Sequence, residues 1–94
     1  MLTLIYFNGS FNKPDTLRPY LQANAGCDTF LQVDCISPFK GTVDELADKV
    51  CQYLNGIEPM IEVTYNYIQN ASTEAGSNGC LVHFLVIQLN IKAQ

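Results

Sequence analysis

Ninety-four residues suffice for one domain, 1–94, and leave no room for a second core; 48% hydrophobic content with 15% charge excludes a disordered chain. The net charge is −4, and the basic residues Lys13, Arg18, Lys40, Lys49 and Lys92 stand singly. Without a cluster to neutralise phosphates, no nucleic-acid partner and no anionic membrane partner is expected.

The first predicted element is a strand over 2–7 (Leu-Thr-Leu-Ile-Tyr-Phe), closed by Asn8-Gly9. No basic n-region or cleavage site precedes it, so a cytoplasmic protein is expected. Leu17, Tyr20 and Leu21 then hint at a short helix. Pro19 would sit inside that helix at a cost of about 3 kcal/mol, and Pro14 limits it further. The segment is therefore read as an irregular excursion. That reading pairs 2–7 antiparallel with the next strand, 29–36 (Thr-Phe-Leu-Gln-Val-Asp-Cys-Ile). If 14–23 were helical instead, a parallel, thioredoxin-like arrangement without a CxxC motif would be the alternative.

A helix over about 43–55 is the clearest element. Thr42 and Glu45 form a capping box, and Val43, Leu46, Ala47, Val50, Cys51 and Leu54 make one apolar face. Asn55-Gly56 reads as its left-handed C-cap, and Pro59 prevents continuation. In 61–69, Ile61, Val63, Tyr65 and Tyr67 alternate with Glu62, Thr64 and Asn66, as in a strand with one buried face. The small, polar, glycine-rich stretch 70–79 is expected to be a mobile loop of a hairpin. The stretch 80–91 is apolar on both faces at its start and reads as a central strand covered on both sides. The predicted fold is α+β: a mainly antiparallel four-stranded sheet with one helix across a face, in the order β-β-α-β-β.

Little in this sequence points to chemistry. The single histidine, His83, lies in phase with Leu81 and Leu85 on a strand, and reads as a core or interface residue. Cys27, Cys35, Cys51 and Cys80 form no CxxC pair, so neither a metal site nor redox chemistry is expected. No phosphate loop, nucleophile elbow or dinucleotide fingerprint is present, and no catalytic residue, metal or cofactor is assigned. The candidate interface positions are Gln32 and Asp34, which are polar in mid-strand, with Tyr65 and Tyr67, whose rings bury area while keeping a polar tip.

The run Thr29-Phe30-Leu31-Gln32-Val33-Asp34-Cys35-Ile36-Ser37-Pro38, then Gly41, then Asp44-Glu45-Leu46-Ala47-Asp48-Lys49-Val50, resembles the phage tail-terminator and tail-completion family. The order of elements is similar over about 29–91. The resemblance implies a structural virion protein, in the host cytoplasm or the virion, that forms a hexameric ring and ends tail-tube growth. Its partners would be other proteins, itself included, and it would have no catalytic residues. Family members begin with an amphipathic helix before the first strand; here the strand pattern starts at Leu2, which implies a less covered sheet face. A small adaptor or inhibitor from a mobile element is the alternative role.

Overall fold

The computed structural model describes residues 3–7, 14–37, 39–76 and 79–93. The chain runs β1 (Thr3–Phe7), α1 (Pro14–Ala23), β2 (Asp28–Ser37), α2 (Val43–Ile57), β3 (Ile61–Ala75) and β4 (Leu81–Ala93). The strands form one antiparallel sheet in the order β1-β2-β4-β3. The Asn8-Gly9 closure and Pro38 lie outside the described residues.

The expected order β-β-α-β-β with one helix is corrected: a second helix, α1, separates β1 from β2. Pro14 is its first residue, where a missing N–H costs nothing. Pro19 does sit inside it. Tertiary contacts outweigh its penalty, which is how most short helices are held. Leu17 and Leu21 are fully buried in the core, and the Tyr20 hydroxyl meets Thr29 Oγ1 at 3.2 Å. Arg18 donates through Nε and Nη2 to the Ile57 carbonyl, each at 3.3 Å, placing a cation at the negative end of α2. Gln22 Nε2 donates to the buried Glu58 carboxylate at 2.7 Å. The helix does not bring parallel pairing with it: β1 runs antiparallel to β2, with Thr3 opposite Ile36 and Phe7 opposite Val33. The thioredoxin-like arrangement therefore does not describe this chain.

α2 starts at the expected capping box, with Thr42 and Glu45 bonded reciprocally. It ends later than expected. Gly56 is helical, and Glu58 is the C-cap, donating its N–H to the Leu54 carbonyl at 3.2 Å. Asn55 has a different task, described below. β3 also outruns its expected end. It continues to Ala75, so 70–75 is strand and the hairpin connection shrinks to about 76–80.

The core lies on one face of the sheet. Leu31, Val33 and Cys35 of β2, Ile61 and Val63 of β3, and Leu85, Ile87, Leu89 and Ile91 of β4 pack there with Leu17 and Leu21 of α1 and Leu46, Val50 and Leu54 of α2. β4 is central within the sheet, yet it is not covered on both sides as expected. Its alternate residues Val82, Phe84 and Val86 are only half-buried on the other face.

Candidate interface on the uncovered sheet face

The register fixes which side chains share the second face. On β2 and β4 the opposed pairs are Asp28 and Asn90, Phe30 and Gln88, Gln32 and Val86, Asp34 and Phe84, and Ile36 and Val82. All ten belong to the alternate set that the core does not use. No described helix covers them, and a one-layer face with this much apolar area is unusual for a sheet.

Two bulges in β3 decide what joins this face. Asn66 and Gln69 are extra residues, because Tyr65 lies opposite Leu89, Tyr67 opposite Gln88, Ile68 opposite Ile87 and Asn70 opposite Val86. Each extra residue flips the side-chain phase that follows it. Tyr65 and Tyr67, read as sharing a face, are thereby separated. Tyr65 stays on the helix side, where its hydroxyl donates to Asp44 Oδ1 at 3.0 Å. Its own pKa is pushed up to about 12 by desolvation, then by that bond and by the charges of Asp44 and Asp48. Tyr67 moves to the uncovered face, 47% exposed, beside Phe30, 46% exposed. Their rings meet edge to face, with centroids 6.1 Å apart and planes at 79°. Such a pair presents a broad apolar surface with one polar tip.

Of the four predicted positions, the structure thus brings together Gln32, Asp34 and Tyr67 and sets Tyr65 apart. Gln32 and Asp34 line a depression of about 290 Å³ with Asn70, Ser72, Phe84 and Val86. Asp34 Oδ1 is shielded from solvent and has no hydrogen-bond partner among the described residues. Desolvation raises the Asp34 pKa accordingly. An acceptor left in this state costs on the order of 1–3 kcal/mol, which a donor from outside would recover. Two amides further along the sheet are engaged with neighbouring strands: Asn66 Nδ2 donates to Gln88 Oε1 at 3.1 Å, and Asn90 Nδ2 to Asp28 Oδ1 at 2.7 Å. Phe30, Phe84, Val82 and Val86 were not singled out by sequence. Phe30 shares the phase of Gln32 and Asp34 within its own strand, whereas Val82, Phe84 and Val86 join them only through the β2–β4 register.

Cys35 and Cys51 are buried, and burial, with Asp34 or Asp48 nearby, pushes each thiol up to about 12. A thiol so shifted is not an activated nucleophile. His83 is 6% exposed, and its Nδ1 lies 3.1 Å from Thr73 Oγ1. No cluster of metal-ligating side chains occurs among the described residues. No described helix is long and apolar enough to cross a membrane. No protein-family model matches the chain, and neither a curated protein nor a solved structure matches it.

Proposed function

We propose that this protein is a non-enzymatic assembly component that buries the uncovered face of its sheet against another protein. The role implied by the resemblance to tail terminators, completing or capping a protein tube, is the form of assembly that fits this reading. The observation that carries it is the paired exposure of Phe30 and Tyr67 on a sheet face that no described element covers. The same face specifies its partner. Asp34 calls for a cationic or N–H donor, and Asp28 adds a second acid at the rim. The partner is therefore a protein surface that is apolar and carries a basic group.

Photo-crosslinking in the native host tests this, with p-benzoylphenylalanine replacing Phe30 or Tyr67. Gln52, exposed on α2, serves as the control position. Specific adducts from 30 and 67, in a particle larger than a 1:1 complex, are expected. Phe30→Asp should weaken incorporation by about 2 kcal/mol or more, as for a central interface aromatic. A discrete 1:1 complex would move the role to an adaptor or inhibitor. Absence of adducts from both face positions, or equal labelling from 52, would end the proposal.

A further inference from the structure

The outer edge of β3 carries a second surface, readable from its hydrogen bonds. Val63 donates its N–H to Asn55 Oδ1 at 2.8 Å and accepts from Asn55 Nδ2 at 3.1 Å, so its peptide groups point away from β4. Opposite it, Ile91 bonds towards β2, with Gly26 N–H donating to its carbonyl at 2.7 Å and its own N–H donating to Cys27 at 3.3 Å. In an antiparallel ladder both peptide groups of a residue point the same way, and the direction alternates. Counted through the β4 register, which absorbs both bulges, the outward residues are Ile61, Val63, Tyr65, Ile68, Ala71, Thr73 and Ala75.

The first of these are occupied. Ile61 N–H donates to the Glu58 carbonyl at 3.3 Å, Val63 is held by Asn55, and the Tyr65 side chain is tied to Asp44. Ala71, Thr73 and Ala75 are different: all are exposed, and no described residue bonds their outward groups. A bare edge is ordinarily guarded by lysine, proline or a bulge. Both bulges precede Asn70, and 70–75 contains no proline and only one charge, Glu74.

We propose that 71–75 pairs with the same segment of a second copy, antiparallel about a two-fold axis at Thr73. Thr73 then meets Thr73, and Ala71 meets Ala75, so that every outward peptide group in the segment is bonded. The Thr73 side chain is already held by His83, which leaves its backbone free to pair. On the other side of the strand, Glu74 of each copy falls beside Ser72 of the other, where a hydroxyl can donate to the carboxylate. The two acids never face one another. The small side chains let the backbones approach, and two four-stranded sheets become one continuous antiparallel sheet.

Sedimentation equilibrium of the full chain tests the pairing and its register. The wild type should dimerise at tens of micromolar. Ser72→Glu sets like charges across the axis twice and should raise the dimer Kd roughly tenfold, since cross-strand charge pairs act in duplicate here. Adding Glu74→Lys in the same chain should restore pairing, and Ser72→Lys alone should tighten it. Ala71→Pro, which deletes an outward N–H from each copy, should leave a monomer with an unchanged far-ultraviolet spectrum. A wild type still monomeric at several hundred micromolar would overturn the proposal, as would a dimer that ignores both Ser72→Glu and Ala71→Pro. Phe30→Asp should not change the dimer, so this inference and the proposed function fail independently.

Discussion

The two halves of β3 belong to one strand and meet opposite fates. From Ile61 to Tyr65 the outer edge is roofed by α2, and Asn55 imitates a neighbouring strand by bonding both peptide groups of Val63. From Ala71 to Ala75 the strand is exposed on both faces, and no described residue bonds its outer edge. The contrast shows that an edge strand needs no continuous protection. One side-chain amide seals the part over the core, where an unpaired peptide would be costly, and the rest is left available.

Proline substitution is the strongest way to break this comparison. Val63→Pro removes a bonded N–H above the core and should cost about 3 kcal/mol or more. Ala71→Pro removes an N–H that faces solvent in the isolated chain and should cost under about 1 kcal/mol. Chemical denaturation of the two variants measures the difference. Equal losses would mean that the two halves of the edge are alike.

A smaller effect is expected at the strand mimic itself. Asn55→Ala deletes two hydrogen bonds and strands both groups of Val63, for about 2 kcal/mol. For a domain of this size that lowers Tm by on the order of 10 °C. Asn55→Asp keeps the acceptor but turns an oxygen towards the Val63 carbonyl, so it should rescue little. Full rescue by Asp would mean that only the Val63 N–H needs its partner.

Asn55 also marks where sequence reasoning reached its limit. Beside Gly56 it had the form of a helix C-cap, because local pattern cannot register a strand eight residues away in the chain. Pro19 misled in the same manner: the local penalty is real, but Leu17, Leu21 and Arg18 find partners that only the folded chain supplies. The capping box at Thr42 was legible because all of its atoms lie within four residues. At the candidate interface, Gln32 and Asp34 were visible as polar residues in an apolar strand. The separation of Tyr65 from Tyr67 was not, since the alternation that makes a strand legible is what a bulge interrupts. The strand character of 70–75 was hidden too. Small polar residues carry no apolar alternation, and a strand open on both faces needs none.

The smallest expected effect lies between the two halves of the comparison, at the tie from Thr73 to His83. His83 faces Thr73 of β3, Cys35 of β2 and the backbone of Phe39. Burial lowers its pKa below 6.5, against an opposing pull from the Phe39 backbone. The unfolded chain therefore takes up this proton at a higher pH than the folded chain does. Stability from His83 is complete above about pH 6.5 and is lost as the pH falls from there through the folded value. Asp34 has the opposite sign. Its raised pKa favours the folded state as the pH falls towards 3.8, and Asp34→Asn should remove that component. Because His83 is the only histidine, a loss of stability beginning just below pH 6.5 that disappears in His83→Gln belongs to it. A flat profile in both proteins would mean that His83 is as solvated folded as unfolded.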